Sequence, residues 1–436
     1  YEDKRTYPGS ERIPLGADVV LNMNRCIQCT RCVRFTEEIA GTGEIGFFNR
    51  GARVEIGTFP GKELSNPIAS CVVDICPVGA LTSTRFRFAE RVWYLDKKPS
   101  LCTGCDVGCN ITMEQRRGDI KRYKPRFNVE VNDYWMCDYG RGTFERYKKL
   151  PRVTAPRVKA EGGNGQGAVA VVGWKEALDR LHRELVLVKG QQGQQGQQGQ
   201  EKIAFLGSGF LTCEEAYLFA KLAEAVGAAS RSVPVDLGPE RTIPNLKGGI
   251  TGREAAPNRR GAELAGLAGQ SDDLLHGDGA SRCSALIVCD SDFGEAAHSA
   301  ETVERLRRAK LLVVFGWADT PLARAADIFL PVAHHGEKDG TFVNVEWRLQ
   351  KFQRAFPPPG QVRPAVEVLG DLLSRFEAGW ANVSAGAVFD RLAAELPAFA
   401  GLSWDELPAT GAALHVPEAH PRISDAAAES AMEASQ

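Results

Sequence analysis

The sequence contains no apolar run of about 18 residues, the length that a membrane-spanning helix needs, so we expect no direct membrane span. Its first residues, YEDKRTYP, are charged and contain no apolar segment of a signal peptide. The net charge of −2 gives no reason to expect nucleic acid or anionic lipid as a partner. The apolar content of 43% and the charged content of 25% are those of a globular chain, and 436 residues suffice for two or three domains.

Motifs for nucleotide binding are also lacking. No Gly-x-Gly-x-x-Gly follows a predicted strand, and no P-loop lysine motif is present. Histidine is scarce, because all seven residues lie after residue 180. His334 and His335 are adjacent and cannot share one helical face, which argues against a metal role there. We therefore expect neither a nucleotide site nor a hydride-transfer site, and no catalytic residue, in this chain.

Cysteine, by contrast, is abundant and unevenly distributed. Nine of the 12 cysteines precede residue 140, in a chain without a secretory signal, which is typical of metal binding rather than of disulfides. We interpret the three cysteines that follow as packing residues. Eight of the nine form two sets of four: Cys26, Cys29, Cys32 and Cys76, and Cys102, Cys105, Cys109 and Cys137.

The spacing of each set predicts a [4Fe–4S] cluster. Three closely spaced thiolates with a distant fourth suit a cubane, in which each iron needs one terminal ligand. The alternative is structural zinc, which favours two separated cysteine pairs. Zinc fits the spacing of the second set better than that of the first. Cys71 competes with Cys76 as the fourth ligand of the first set. The tight turn expected after Cys76-Pro77 favours Cys76, and leaves Cys71 as a small buried hydrophobe.

The order of predicted elements indicates two kinds of structure. The first 90 residues are predicted to form a small, cluster-organised α+β unit, with a hairpin over 49–61 and a helix after Cys76-Pro77. A strand is predicted to open the next segment, at Val92. A second hairpin is predicted around the turn at Gly118-Asp119. Further on, apolar runs alternate with amphipathic helices, which predicts an α/β domain with a mainly parallel sheet. The predicted strands are 169–172, 203–207, 285–289 and 311–315, and the predicted helices are 175–187, 214–226 and 299–309.

Three segments are expected to lack packed structure. Residues 190–200 are a Gly-Gln repeat that buries no core, residues 253–282 are rich in Gly, Ala and Asp, and the tail after about residue 422 is Ala- and Ser-rich. The basic runs Arg116-Arg117 and Lys121-Arg122 are interpreted as solvated faces that also compensate cluster charge.

Residues 25–51 and 55–83 closely resemble the large iron–sulfur subunits of bacterial NADH:quinone oxidoreductases, the respiratory complex I family. Residues 100–142 resemble the [4Fe–4S] segment that opens molybdopterin oxidoreductases, and residues 326–350 resemble a loop of that same fold. The resemblance implies a ferredoxin-like α+β region followed by a molybdopterin-oxidoreductase-like α/β domain. The predicted domains are 1–92 (ferredoxin-like), 93–152 ([4Fe–4S]), 153–375 (α/β) and 376–436 (a partly disordered extension).

By this resemblance the chain is an electron-transfer subunit with two [4Fe–4S] clusters. The cluster at Cys26, Cys29, Cys32 and Cys76 matches the main electron path, and the cluster at Cys102, Cys105, Cys109 and Cys137 matches an extra cluster with a structural role. The partners implied are the subunit that binds FMN and NADH and the subunits of the quinone module. The implied location is the peripheral arm of a membrane complex, on the cytoplasmic side of the bacterial inner membrane.

The sequence also departs from the family. The family carries an N-terminal [2Fe–2S] domain and a further [4Fe–4S] cluster with a His ligand, and neither ligand set is present, so we expect an N-terminally truncated chain. Where molybdenum enzymes place a metal ligand this sequence reads RSVPVDLG, in which Ser232 is the only nominal candidate, so no molybdenum is expected. The alternatives are a catalytic molybdopterin oxidoreductase of formate dehydrogenase type and an iron–sulfur partner subunit of a hydrogenase.

Overall fold

The computed structural model describes residues 9–159, 169–192, 202–269, 271–289 and 299–416. The chain divides into two compact units, which are described separately. The first unit comprises residues 1–102, 109–145 and 241–251, and the second comprises residues 103–108, 146–240 and 252–436. Within the described residues, no helix has both the length and the apolar character needed to cross a bilayer.

The first unit opens with short elements that surround a small apolar core. Its antiparallel sheet pairs Ile13–Pro14 and Leu81–Ser83 with the central strand Val19–Leu21. A separate hairpin pairs Ile45–Phe48 with Glu55–Thr58. The helical segments are Met23–Arg25, Arg31–Arg34, Phe35–Ile39, Gly51–Arg53 and Cys71–Ile75.

A three-stranded antiparallel sheet forms the other part of the first unit. It consists of Asp96–Leu101, Asn110–Arg116 and Asp119–Pro125, so the predicted hairpin around Gly118 is present. The short helices that accompany the sheet are Val92–Tyr94, Asp138–Gly142 and Thr143–Glu145. The strand predicted at Val92 is wrong. Val92, Trp93 and Tyr94 are all exposed and form one 3-10 turn, and the strand begins only at Asp96.

The second unit is built on a seven-stranded sheet with apolar clusters packed on its faces. Five consecutive strands of this sheet are parallel, in agreement with the predicted mainly parallel sheet, and an antiparallel pair of strands closes one edge. The strand order is Val169–Val171, Arg157–Lys159, Ile328–Pro331, Leu312–Gly316, Cys283–Cys289, Lys202–Leu206 and Ser230–Ser232.

Helices connect and cover these strands. The α-helices are Arg146–Lys149, Trp174–Gln192, Cys213–Ala225, Arg259–Leu264, Asp272–Leu275, Ala300–Leu306, Pro321–Ala325, Ala365–Leu373 and Ala385–Glu395. Shorter 3-10 turns are Gly279–Arg282, His335–Glu337 and Pro397–Phe399. A small sheet of this unit consists of Gly340–Val343, Arg348–Phe352 and Ala412–Ala413. The ribbon Leu237–Ile243 with Ile250–Glu254 includes residues 241–251, which belong to the first unit.

Three local predictions need correction. The first hairpin turns earlier than predicted, because Asn49 and Gly51 adopt positive φ angles of 61° and 62° and end the strand at Phe48. The helix near Cys76 precedes it instead of following it, since the left-handed Gly79 (φ 66°) leads directly into a strand.

The third correction concerns residues 253–282, which contain two helices and a 3-10 turn instead of an unstructured excursion. Most of the Gly-Gln repeat and the whole tail after residue 422 lie outside the described residues.

Glu214 is a fully buried carboxylate in the second unit. It lies in the first turn of helix Cys213–Ala225 and accepts hydrogen bonds from the Thr341 backbone N–H (3.1 Å) and Oγ1 (2.7 Å). Burial raises the pKa of Glu214 from its ordinary 4.5 to about 7, because the Thr341 hydrogen bonds offset only part of the lost hydration. The folded chain therefore binds this proton more tightly than the unfolded chain does.

This shift predicts a pH-dependent stability. Because the folded pKa is raised, Glu214 contributes stability at low pH that is lost as pH rises from about 4.5 to about 7. Glu214→Gln cannot ionise, so its free energy of unfolding relative to the parent should rise across that window by up to about 3 kcal/mol. Urea unfolding at several pH values tests this, and a pH-independent difference between the two proteins would contradict it.

Candidate iron–sulfur centres

The first cysteine set lines a single concavity of the first unit. Cys26, Cys29, Cys32 and Cys76 all contribute to its wall, together with Ile56 and residues of the two cysteine loops. The loop between the first and third cysteines turns tightly, because Gln28 and Thr30 adopt left-handed φ angles of 55° and 66°. The sequence-predicted residues of this set are thus brought together by the fold.

Backbone amides are aimed at two of these sulfurs. The Gln28 N–H donates to Cys26 Sγ (3.4 Å), and the Leu81 N–H donates to Cys76 Sγ (3.5 Å). Burial raises the pKa of the Cys26 thiol and raises that of Cys32 to about 11. The free thiols are therefore protonated near neutral pH, and metal must displace their protons on binding. Once the sulfurs carry negative charge, the N–H donors stabilise it.

This site lies at the surface of its unit. Cys29 is exposed, and Cys26 and Cys76 are partly exposed. Ile27 in the same loop is 60% exposed, and Val78 beside Cys76 is 38% exposed. Three of the four thiols are thus at least partly exposed, whereas Cys32 is buried.

Cys71 points away from this concavity. It is fully buried, its thiol donates to the Met136 carbonyl oxygen (3.4 Å), and it accepts a hydrogen bond from Arg141 (3.3 Å). Cys71 begins the helix that ends just before Cys76, so the two thiols lie at opposite ends of one short helix. The geometry favours Cys76 as the fourth ligand of the first set.

A paired substitution tests this choice. Cys76→Ser should remove or convert the first cluster, because serine replaces one terminal thiolate. Cys71→Ser should leave the cluster signal intact, although it alters a buried hydrogen-bond network. Iron content and the low-temperature EPR spectrum of the two reduced variants give the answer. A lost signal in Cys71→Ser with a normal one in Cys76→Ser would reverse the assignment.

Three members of the second set lie in the first unit. The Cys102 N–H donates to the Cys109 carbonyl oxygen (2.8 Å), which closes a loop between the first and third cysteines. Gly140 lies between two thiols: a Cβ placed there would be 2.9 Å from Cys102 Sγ and 3.4 Å from Cys137 Sγ. The Gly140 N–H donates to Cys137 Sγ (3.3 Å).

Cys105 lies on the short segment 103–108, which packs within the second unit. There, a Cβ placed on Gly252 would be 2.6 Å from Asp106 Oδ1 and 3.2 Å from Cys105 Sγ, so the glycine backbone closely approaches the segment that carries this thiol. The adjacent Asp106 accepts hydrogen bonds from the backbone N–H groups of Arg253 (2.9 Å) and Glu254 (3.3 Å). All four cysteines of the second set are buried, in contrast to the first set.

The basic residues near the second set are not those that the sequence indicated. Arg116 pairs with Glu90 and Arg122 pairs with Glu114, so these side chains serve the sheet. Instead, Arg241 lies over the Tyr139 ring (3.9 Å), beside Cys137, and Arg141 is buried one turn after that cysteine. Both guanidinium groups favour the thiolate of Cys137, although burial leaves its pKa raised. No spacing rule identifies either residue.

Other residues singled out in the sequence are structural in their surroundings. His334 stacks on Tyr147 (4.3 Å) and accepts a hydrogen bond from the Gly336 N–H, while His335 packs on Phe352 (4.4 Å). Ser232 is buried at the end of a sheet strand. The three remaining cysteines lie in the apolar core of the second unit: Cys213, Cys283 and Cys289.

Among the described residues, no three His, Cys, Asp or Glu side chains converge closely enough to hold one metal ion. Structural zinc needs four ligands about 2.0–2.3 Å from a single centre. The thiolates of a cubane bind different irons and are held farther apart. Four thiols with no oxygen or nitrogen ligand are a donor set that both a [4Fe–4S] cluster and a structural zinc ion can use, so the preference for a cluster at the first site rests on the spacing of its cysteines.

Three family models match separate parts of the chain. Residues 16–82 match the ferredoxin-like domain of NADH-quinone oxidoreductase subunit 3. Residues 95–148 match the molybdopterin oxidoreductase Fe4S4 domain, and residues 271–375 match molybdopterin oxidoreductase. The predicted fold class, a ferredoxin-like α+β region followed by a molybdopterin-oxidoreductase-like α/β domain, is confirmed.

Curated relatives carry the identification further. The G subunit of the NADH-quinone oxidoreductase of Streptomyces coelicolor is 35% identical over 50% of this chain. The mitochondrial NADH dehydrogenase [ubiquinone] iron-sulfur protein 1 of Solanum tuberosum is 40% identical over 38% of it. The 78 kDa subunit of NADH-ubiquinone oxidoreductase of Neurospora crassa is 43% identical over 34% of it. The resemblance to the large iron–sulfur subunit of respiratory complex I is confirmed.

The matches cover only part of each relative. The chain spans 24% of the Streptomyces protein, 22% of the Solanum protein and 20% of the Neurospora protein. Among solved structures, acetylene hydratase from Pelobacter acetylenicus aligns with this chain at a TM-score of 0.41 and 10% sequence identity. The alignment covers 71% of this chain and 73% of the hydratase chain.

Proposed function

We propose that this chain is an electron-transfer component of a proton-translocating NADH:quinone oxidoreductase, and that it carries electrons from NADH and FMN toward quinone through a [4Fe–4S] cluster. The main support for this proposal is the concavity lined by Cys26, Cys29, Cys32 and Cys76. These cysteines lie inside the segment that matches the subunit 3 ferredoxin-like domain. Such a cluster, when bound, accepts and donates one electron at a time. The chain's own residues set the environment in which it does so.

Exposure supports a transfer role for the first set. Cys29 is exposed, and its loop carries the exposed Ile27, so a cluster held there is close to the surface. The hydrogen bonds from Gln28 and Leu81 to the sulfurs stabilise added negative charge, which favours the reduced state. An accessible, hydrogen-bonded cluster suits exchange with a redox group in a partner subunit.

Burial supports a structural role for the second set. We assign Cys102, Cys105, Cys109 and Cys137 as the ligands of a second [4Fe–4S] cluster, within the segment that matches the Fe4S4 domain. All four thiols are buried, which keeps a cluster there away from external redox groups. Cys105→Ser should therefore lower the stability or assembly of the enzyme more than its turnover per assembled complex.

The α/β domain is assigned as a scaffold without molybdenum. Ser232, the nominal metal-ligand position, is buried at a strand end beside Gly269 and Gly207. The family match in this part of the chain, molybdopterin oxidoreductase over residues 271–375, is common to a scaffold and to a catalytic molybdopterin enzyme. The relatives' names favour the complex I interpretation over that alternative.

The assembly follows from this assignment. The partners are the subunit that binds FMN and NADH and the subunits of the quinone module, in a peripheral arm on the cytoplasmic side of the bacterial inner membrane. The domain limits at about residues 92, 152 and 375 are proposed with the same assignment.

Rapid-freeze EPR of the assembled enzyme tests the electron-transfer role. After mixing with NADH, the first cluster should be reduced at least as fast as the enzyme turns over, and added quinone should reoxidise it. The second cluster should respond more slowly or not at all. A first cluster that stays oxidised during steady turnover would overturn the proposal.

A further inference from the structure

Two short helices of the first unit each adjoin a proposed cluster ligand. Helix Cys71–Ile75 ends immediately before Cys76 of the first set. Helix Asp138–Gly142 begins immediately after Cys137 of the second set. Any contact that fixes one helix against the other therefore also fixes a ligand of one set relative to a ligand of the other.

Hydrogen bonds that involve backbone groups hold these helices together at their amino ends. The Asp138 carboxylate accepts hydrogen bonds from the Ser70 N–H at 3.0 and 3.2 Å, and the Asp138 N–H donates to the Pro67 carbonyl oxygen (2.8 Å). The Cys71 thiol donates to the Met136 carbonyl oxygen (3.4 Å). Each contact joins residues more than 60 positions apart in the sequence.

Arg141 completes this network with a largely, but not fully, buried positive charge. Its guanidinium pairs with Asp74, donates to Cys71 Sγ (3.3 Å) and lies 3.8 Å from Asp138. Only 13% of the Arg141 side chain is exposed. Lys124, which is 35% exposed, also lies 3.6 Å from Asp74, so that carboxylate has a second, outer cation.

The cost of burying these charges indicates a role beyond packing. A buried ion pair is seldom more stable than apolar residues of the same volume, whereas removing one partner is strongly destabilising. Apolar side chains between the two helices would stabilise the core without the cost of burying charged groups. A planar guanidinium contacting both helices instead fixes their relative geometry, as residues behind metal ligands do.

We propose that Arg141 is a positioning residue that couples the two cluster sites, by tying the helix before Cys76 to the helix after Cys137. The inference rests on the proposed function, since it requires that both sets hold clusters. Because binding couplings are reciprocal, a cluster in either site stabilises the ligand geometry of the other. The positive charge of Arg141 also raises the reduction potential of the first cluster relative to a chain without it.

The test uses four full-length chains: the parent, Arg141→Met, Arg141→Lys and Lys124→Met. Iron release to a ferrous-iron chelator is followed together with the EPR-monitored reduction potential of the first cluster. Arg141→Met should release iron from both clusters about tenfold faster, the scale on which residues behind metal ligands act. Its first cluster should have a lower potential. Arg141→Lys should keep the reduction potential of the parent but release iron somewhat faster. Lys124→Met should match the parent in both the reduction potential and the rate of iron release.

The outcomes separate the possible failures. A parent chain without a [4Fe–4S] signal would refute the proposed function. Parent-like iron release and potential in Arg141→Met would refute the coupling alone. If Arg141→Met does not fold, Arg141→Lys decides: faster release from both clusters at an unchanged potential supports the coupling, and release limited to one cluster contradicts it.

Discussion

Cys29→Ser should abolish or convert the first [4Fe–4S] signal and stop quinone-coupled electron transfer in the assembled enzyme. Cys29 supplies one of four thiols in the concavity, and the other three, Cys26, Cys32 and Cys76, leave one iron without a terminal ligand. Because Cys29 is exposed, serine fits in its place without disturbing a packed core. The effect should therefore fall on the cluster and not on the fold.

Thr30→Ser provides the matched control for this variant. Thr30 lies in the same concavity and has the same left-handed backbone as Gln28, but it contributes no thiol. It should keep the cluster signal and the turnover of the parent. Normal quinone-coupled activity in Cys29→Ser would instead remove the first cluster from the electron path.

Lys338→Met should cause the largest loss of stability among single changes in the second unit. The Lys338 ammonium lies 2.7 Å from Glu215, and the two side chains are only 3% and 1% exposed. Glu215 also accepts the Thr212 N–H (2.9 Å) in the capping box of helix Cys213–Ala225. Removing the cation leaves a buried carboxylate without its charge partner, which costs about 3–5 kcal/mol.

The exposed pair Lys175–Asp179 gives the control. Its atoms lie 2.6 Å apart, as close as in the buried pair, but the Lys175 side chain is 89% exposed. Lys175→Met should change the free energy of unfolding by about 0.5 kcal/mol or less. Urea unfolding of both variants at neutral pH provides the comparison. Equal effects for the two lysines would show that burial of the Lys338 pair has little energetic consequence.

The sheet of the second unit was predictable because its strands are apolar throughout. Cys283–Cys289 is buried at every position, and so is Leu312–Gly316. A strand covered on both faces leaves an unbroken apolar run in the sequence, and the amphipathic helices between such runs give the parallel order. The first cysteine set was predictable for a similar reason, since three of its members are separated by only two residues each.

The elements that were missed depend on contacts distant in sequence. Residues 253–282 are rich in small residues, yet buried Asn258 fixes them by donating to the Leu211 carbonyl oxygen and accepting the Val343 N–H, both at 2.6 Å. Val92–Tyr94 has strand-type composition but no strand to pair with. Local propensity contains neither kind of information.

The same reason explains why the charged surroundings of the sites were missed. Arg141 and Asp74 are 67 positions apart, and no periodicity links them. Arg116 and Arg122, which stand out as basic runs in the sequence, pair instead with carboxylates of their own sheet region. The spacing of the candidate ligands can be read from the sequence, whereas the residues that orient those cysteines are brought near them only by the tertiary fold.

We propose that the two cysteine sets hold two [4Fe–4S] clusters and that the chain holds no molybdenum. Anaerobic iron, sulfide and molybdenum analysis of the reconstituted chain, with EPR after dithionite reduction, tests this proposal directly. We expect about eight irons per chain, two distinct [4Fe–4S] signals and no molybdenum. About four irons with zinc or molybdenum would refute the proposal, and would move the second set, or the whole chain, to another class of protein.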